Sequence, residues 1–436
     1  MQNIRTQLLS REARNTILYF SSSIVNGLLS FLALPIFTKW LSPEDFGIYG
    51  YTEAINNFLL PFLILSLNSY YIKKYFDEDD TYKQKTLLSS IFWTTFIWTI
   101  LFTILLSFVG DFIFEEAELK IPFFPYMLMT LIGNLALPFI VYLPLQYRME
   151  KKALNYTFIV LIRLALILLI SVILLEVFEL GLIGRYWGLI AGNCIYAFIC
   201  YFPLRKYLTF QLDLKLISNA IKVSFPLVVS AFAALAYDVL DRVFLERYVS
   251  VSDLGYYNVA NRFGSIILMA SAAIYKAFEP EIFRFSKEKN YSSITKIFVN
   301  TSIVMFAATL LLVVLSPFLI KVLTHNKFLN SIPVIDVLLV GYYIKYIYLM
   351  LVTYMVTVFK NREILWISIF GLIFLCFLNI WLIPIFGIIG AAYVKLGLSV
   401  LLVLSSWLMS GIFRILAKTM VIIFLSYVIL ILFISL

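Results

Sequence analysis

The chain is a succession of apolar stretches, each about as long as a helix must be to cross a bilayer, which takes roughly 20 residues. They lie near 15–39, 47–72, 86–110, 122–146, 154–177, 183–204, 219–245, 255–278, 296–320, 332–358, 363–383 and 388–411, with a further apolar run at 419–435. The gaps are short and polar, as at Ser42-Pro43-Glu44-Asp45, Asp77-Glu78-Asp79-Asp80, Glu115-Glu116-Ala117-Glu118 and Lys287-Glu288-Lys289-Asn290. None holds a soluble domain. Of 436 residues, 62% are hydrophobic and 14% charged, whereas a soluble domain carries about a quarter charged residues. The reading is an all-α integral membrane protein of twelve spans, or thirteen if 419–435 also crosses; as an interfacial helix it would leave twelve.

The net charge of +9 would point to nucleic acid in a soluble protein. Here it reports orientation. Lys and Arg alternate in density from gap to gap. One set of gaps holds 23, among them Arg5, Arg11, Arg14, Lys73, Lys74, Arg148, Lys151 and Lys152; the other holds six, Lys39, Lys120, Arg185, Arg247, Lys321 and Lys327. Basic loops stay cytosolic, so the N-terminus is expected in the cytosol and no nucleic-acid partner is expected. The polar stretch Met1–Asn15 lacks a small-residue cleavage pattern and reads as a lead-in to the first helix.

The two halves repeat. Ser42-Pro43-Glu44-Asp45-Phe46-Gly47-Ile48-Tyr49 matches Ser250-Val251-Ser252-Asp253-Leu254-Gly255-Tyr256-Tyr257 at an offset of 208, and Gly181-Leu182-Ile183-Gly184 matches Gly387-Ile388-Ile389-Gly390 at 206. Two matches at nearly one offset, in equivalent places, indicate two six-helix bundles in parallel orientation, 1–206 and 207–414, followed by a C-terminal apolar segment, 415–436. Parallel repeats of this kind are a transporter signature. Locally, the Asp of each motif caps the following helix and the Gly permits its tight start.

Two stretches carry a family likeness. Pro35-Ile36-Phe37-Thr38-Lys39-Trp40-Leu41-Ser42-Pro43-Glu44-Asp45-Phe46-Gly47-Ile48-Tyr49 resembles the opening segment of the polysaccharide-unit flippases of the Wzx type. Asp241-Arg242-Val243-Phe244-Leu245 with Asp253-Leu254-Gly255-Tyr256-Tyr257 resembles their helix 7–8 signature. These flippases belong to the multidrug/oligosaccharidyl-lipid/polysaccharide exporter superfamily. The likeness extends over residues 15 to about 411 in helix count and gap length. It implies two bundles around a central cavity and transfer of an undecaprenyl-diphosphate-linked sugar unit between leaflets of the bacterial cytoplasmic membrane. Many relatives have fourteen helices, so the end of this chain departs from the pattern.

Charges inside spanning helices cost about 2.5–3.5 kcal/mol each on insertion scales and are expected to face a cavity. The candidates within the spans are Glu53, Arg163, Asp238, Asp241, Arg242, Arg262, Lys345 and Lys395. Asp238 and Arg242 are four apart and share a helix face, with Asp241 close by, so these three can neutralise one another. The other bases have no carboxylate three or four residues away on their own helix. Arg163, Arg262, Lys345, Lys395 and Arg242 are therefore the candidate substrate contacts, and Glu53, Asp238 and Asp241 the coupling or charge-balancing groups. Arginine forks onto phosphate oxygens and lysine adds a point charge, so an excess of bases suits a diphosphate and repels cationic drugs.

The expected partners are a lipid-diphosphate-linked sugar, membrane lipid and a coupling cation, H+ or Na+, with one copy of the chain sufficing for function. The alternatives are a cation-coupled multidrug exporter, which needs acids exposed in its cavity, a peptidoglycan-precursor lipid flippase, which shares the diphosphate logic, and a membrane polysaccharide polymerase or acyltransferase. The last needs a large catalytic loop or a catalytic histidine, and the single histidine is His325 in a short turn. No enzyme activity, metal centre or cofactor is expected. Cys194, Cys200 and Cys376 read as small buried residues. Tyr256, Tyr257, Tyr342 and Tyr343 read as interface anchors, with sugar stacking as the alternative.

Overall fold

The computed structural model describes residues 31, 33–78, 80–209 and 211–410, the side chains of residues 233 and 234 excepted. Regular structure among the described residues is helical, with no strand. In chain order the helices are α1 (Pro43–Leu63), α2 (Leu67–Tyr75), α3 (Thr81–Glu116), α4 (Leu128–Gly133), α5 (Leu137–Met149), α6 (Ala153–Glu176) and α7 (Gly181–Leu204). They continue with α8 (Leu214–Tyr248), α9 (Val251–Lys287), α10 (Tyr291–Leu323), α11 (Ile332–Thr357) and α12 (Asn361–Met409). A π-helical turn, Phe123–Met127, precedes α4, and a 3₁₀ turn, Asn134–Ala136, joins α4 to α5.

Eight helical stretches among the described residues are long and apolar enough to cross a membrane, or nine if α1 and α2, bent by 48°, form one span. The protein is therefore a multi-pass membrane protein. The predicted span 255–278 lies on α9, which is helical but too polar to meet that measure. Arg262 and Lys276 fall within the predicted span, and Glu279, Glu281 and Arg284 follow it on the same helix. The predicted spans 363–383 and 388–411 share α12, whose backbone leaves helical geometry at Gly387 (φ 58, ψ −132). Most of the predicted span 15–39, and all of 419–435, lie outside the described residues.

The breaks inside spans are stabilised by side chains. Lipid offers no hydrogen-bond partners, so a backbone carbonyl freed at a helix end must find a donor in the protein. Between α1 and α2, Leu65 and Ser66 adopt left-handed backbone. Trp98 on α3 donates Nε1–H to the Phe62 carbonyl at 2.8 Å, and Thr99 Oγ1 donates to the Leu63 carbonyl at 3.2 Å. The end of α1 is thereby satisfied, and α2 restarts in a new direction.

Contacts divide the chain into two compact units. One holds Ile48–Val239 with the described residues before Ser42; the other holds Ser42–Gly47 with the described residues from Leu240 onward.

In the second unit the two repeated motifs meet. Each begins with a serine cap bonded to the aspartate three residues on. Asp45 Oδ2 accepts from Ser42 N–H at 2.8 Å while Ser42 Oγ accepts from Asp45 N–H at 3.2 Å, and Ser250 Oγ likewise accepts from Asp253 N–H at 3.1 Å. The serine is thus the N-cap and the aspartate, three residues on, the return partner. The glycines have a different job from the tight helix start expected of them. A Cβ on Gly47 would stand 2.0 Å from the Val251 carbonyl oxygen, and one on Gly255 1.8 Å from that of Pro43. They are the close approach of α1 and α9 at their first turns, and only a residue without a side chain fits there.

Candidate functional site

In the first unit the site is prepared by how closely α6 and α7 pack. Gly188 and Gly192 lie one turn apart on α7. A Cβ on Gly188 would be 2.1 Å from Ser171 Oγ, and one on Gly192 2.8 Å from Ile167 Cα. Small residues at four-residue spacing let helix backbones approach in a membrane. That approach brings Asn193 on α7 to Arg163 on α6. Arg163 donates Nε–H to Asn193 Oδ1 at 3.0 Å, and Asn193 Nδ2 donates to the Gly133 carbonyl at 3.0 Å. The 3₁₀ turn after α4 leaves that carbonyl available, and Asn134 beside it donates Nδ2–H to Asn56 Oδ1 at 2.5 Å. The Asn193 amide is therefore fixed with its oxygen toward Arg163, and the Arg163 guanidinium is oriented through Nε.

The Nη nitrogens of Arg163 have no hydrogen-bond partner among the described residues, and no carboxylate there pairs with it. Arg163 lines a cavity of about 300 Å³ within the first unit, together with Arg148, Asn68, Tyr156 and Tyr196. The remaining lining is apolar and includes no Asp or Glu. Arg148 stands one residue before the end of α5. Arg163 is ten residues into α6, about 15 Å from Ala153 along the helix. Asn68 is on the restarted helix α2, so the bend between α1 and α2 helps form the wall.

Just beyond the end of α5 lies a polar cluster that ties the α5–α6 turn to the segment following α7. Glu150 accepts from Gln146 Nε2 at 2.9 Å and from the Tyr207 hydroxyl at 3.0 Å, and Lys152 Nζ lies 2.6 Å from its Oε2. The Tyr71 hydroxyl donates to Gln146 Oε1. Burial opposes ionisation of Glu150, but the Lys152 ammonium and the bonds from Gln146 and Tyr207 outweigh it. They hold its carboxyl below the usual carboxylate range.

In the second unit one buried acid and two bases are held together. Asp241 is fully buried, and its Oδ2 lies 2.9 Å from Lys395 Nζ on α12. It also accepts from the Tyr257 hydroxyl and, at 2.9 Å, from Arg242 N–H. Lys395 further donates to Asn261 Oδ1 at 3.0 Å, which accepts from Tyr342 as well, at 2.7 Å. Arg242 turns its Nε–H to Asn258 Oδ1 at 2.9 Å, with Nη1 4.0 Å from Asp241. Lys395 is thus the counter-ion of Asp241, supplied from a helix more than 150 residues away in sequence.

The other expected site residues are more scattered. Arg262 is half-buried, 6.0 Å from the Phe46 ring centre. Lys345 is half-buried and 6.0 Å from the Tyr342 ring centre, at the limit of a cation–π contact. Glu53 is exposed on α1, and Asp238 is half-buried on α8.

Several expectations need correction. Tyr257, Tyr342 and Tyr343 are not interface anchors: all three are buried, the first two in the Asp241–Lys395 network and Tyr343 against Phe306. A hydroxyl that serves a buried charge outweighs the pull of the headgroup region. Tyr256 packs edge-on against Phe328. Of the cysteines only Cys200 is buried; Cys194 is exposed and Cys376 intermediate. Arg185 is not a loop residue but lies in the first turns of α7, donating to Ser171 Oγ and Tyr49 OH at 3.1 and 2.9 Å. Arg148, counted with the loop bases by sequence, belongs to the cavity wall. Its place four residues after Pro144, on the face that carries Leu145 and Val141, was the available signal.

Helices of bilayer length, broken where side chains take over the backbone's hydrogen bonds, with charges turned inward, define a polytopic membrane protein. The chain belongs to the polysaccharide biosynthesis protein family, whose profile matches residues 13–286. It is 23% identical over 398 residues to protein 1 of the Lsg locus of Haemophilus influenzae, covering 87% of this chain and 94% of that one. Among solved structures it is similar to the lipid II flippase MurJ in an inward closed conformation, with a TM-score of 0.72 at 15% identity over 96% of this chain and 98% of that one. It is similar also to a multidrug-resistance MATE family transporter of the MOP superfamily in an inward-facing conformation. There the TM-score is 0.70 at 14% identity, over 90% and 95% of the two chains. These structures establish the fold.

Proposed function

We propose that this protein is a flippase that moves lipid-diphosphate-linked oligosaccharide units from the inner to the outer leaflet of the bacterial cytoplasmic membrane. Its halves, 1–206 and 207–414, would supply twelve spans with the N-terminus in the cytosol. Membership in a polysaccharide biosynthesis family supports the pathway, and the fold supports transport in place of bond chemistry. The observation that carries the reading is Arg163: a guanidinium well inside a spanning helix, oriented through Nε and unpaired by any carboxylate among the described residues. An unpaired intramembrane base is costly, and an anionic cargo offsets that cost. Alternating access then requires only that the cargo bind the inward and outward states differently.

A cation-coupled drug exporter needs acids presented to its substrate. Asp241, fully buried, is held by Lys395, which disfavours that reading. Coupling to H+ or Na+ is assigned to Glu53 and Asp238, and one copy of the chain suffices.

The test is genetic. A deletion strain should lose surface polysaccharide and regain it with the wild-type gene but not with Arg163→Gln, at equal protein level. Unchanged polysaccharide in the deletion strain would contradict the function; full rescue by Arg163→Gln would contradict the role of this residue.

A further inference from the structure

We infer that the Arg148–Arg163 cavity, formed by residues of the first unit, is a binding site for the diphosphate of the lipid-linked substrate. This rests on the flippase reading and names where one unit alone holds the anion. Three features of the cavity point to that ligand class.

The first is charge. Two guanidiniums line the space and no carboxylate does. Neither has a hydrogen-bond partner on its Nη nitrogens among the described residues. Guanidiniums fork onto pairs of phosphate oxygens, so the site presents two unused forks.

The second is spacing in depth. Arg148 stands at the end of α5, and Arg163 lies about 15 Å along α6 from that helix's start at Ala153. α5 and α6 are joined by the tight turn at 150–152, so the two charges mark the mouth and the interior of one cavity. An anion drawn from the mouth meets a second base further in and is not left to cross apolar wall alone. Both bases line one cavity of about 300 Å³, so a ligand with more than one anionic group can meet both.

The third is preorganisation. Asn193 fixes Arg163 through Nε, and is itself pinned to the Gly133 carbonyl. The forked end is thus aimed by the fold before a ligand arrives, which lowers the entropic cost of binding. Asn68, Tyr156 and Tyr196 add neutral polar groups beside the bases, suited to phosphate or sugar oxygens, while the apolar remainder suits a lipid-linked molecule. A volume of about 300 Å³ lies at the lower end of small-molecule sites and fits the diphosphate with part of one sugar in preference to a whole oligosaccharide.

A diphosphate also occurs in soluble nucleotides, so the test separates the two sources. Binding of inorganic pyrophosphate to the purified full chain in detergent is measured by calorimetry, with orthophosphate, farnesyl diphosphate and uridine diphosphate as competitors. Pyrophosphate should bind more tightly than orthophosphate, and Arg163→Gln and Arg148→Gln should each weaken it about tenfold or more. Asn193→Ala, at a positioning residue, should weaken it less, and Arg163→Lys, which keeps the charge and loses the fork, should retain part of it. Lys39→Gln, which changes a surface ion pair with Glu176, controls for general electrostatics. Farnesyl diphosphate should compete.

Absence of pyrophosphate binding, or binding as tight as wild type in both Gln variants, would overturn the site. Competition by uridine diphosphate but not by farnesyl diphosphate would overturn the lipid-linked ligand. Polysaccharide lost on deletion but fully rescued by both Gln variants would remove this site and leave the flippase reading standing.

Discussion

Gly47 and Gly255, equivalent residues of a motif repeated 208 positions apart, bring their helices into contact with no room for a methyl group on either. The Val251 and Pro43 carbonyl oxygens would lie 2.0 and 1.8 Å from the added carbons. The obstacles are backbone atoms in the first turns of capped helices, so relief by a rotamer change is closed off. Gly47→Ala and Gly255→Ala should each cost on the order of 1–3 kcal/mol, as overpacking does. Gly341→Ala, where the nearest atom would be 3.4 Å away, should be tolerated. Thermal unfolding in detergent measures all three; an unchanged midpoint for Gly47→Ala would show that the approach is looser than described.

Lys395 and Asp241 should be separable from function by stability alone. Removing one partner of a buried pair leaves a charge stranded, at a cost of about 3–5 kcal/mol, whereas replacing both by apolar or neutral groups of like volume is near neutral. Lys395→Ala should therefore unfold at a much lower temperature than the double variant Asp241→Asn/Lys395→Met. If the double variant is no more stable than the single one, the pair is doing more than neutralising charge.

The closeness of α6 and α7 is the foundation of the Arg163 site. Gly192→Val should push Ile167 away and break the Arg163–Asn193 bond, with a stability loss of about 1–3 kcal/mol and weaker pyrophosphate binding by the molecules that remain folded. Retained binding at full strength would mean that Arg163 needs no such support.

The Glu150 cluster predicts a pH dependence. Its folded carboxyl is held below the usual range, chiefly against burial, by Lys152, Gln146 and Tyr207. The unfolded value is about 4.3. The group therefore contributes stability that is fully present above that pH and is lost as pH falls through the lower folded value. The unfolding midpoint should drop on acidification across that window, and Glu150→Gln should flatten the drop. An equal drop in both proteins would place the acid sensitivity elsewhere.

Much of this architecture is legible in the chain. Apolar run length announces the helices, and the Ser-x-x-Asp-x-Gly-x-Tyr pair marks where the first turns of α1 and α9 approach each other. Arg163 stands out because a base in mid-span has no carboxylate on its own helix. The same criterion also marks Lys395, and there it misleads, because the partner, Asp241, comes from a distant helix and one sequence holds no record of that contact. The glycines are visible as a pattern, but their reason is not: the Val251 and Pro43 carbonyls that demand them are chosen by tertiary packing. Tyr257 and Tyr342 look like headgroup anchors for the same cause, since composition cannot distinguish a hydroxyl facing lipid headgroups from one bonded into a buried network. Arg148 is hidden by its position, at a helix end where basic residues ordinarily report orientation.

The most direct measurement is transport by the protein alone. Purified protein is reconstituted into liposomes that contain a fluorescent prenyl-diphosphate-linked sugar, and the accessibility of the label to an external reagent is followed in time. Wild-type protein should move the label between leaflets, and folded Arg163→Gln should do so about tenfold more slowly or less, the loss expected when a hydrogen bond to a charged group is removed. Equal rates for the two proteins, or no movement beyond that of protein-free liposomes, would contradict the account.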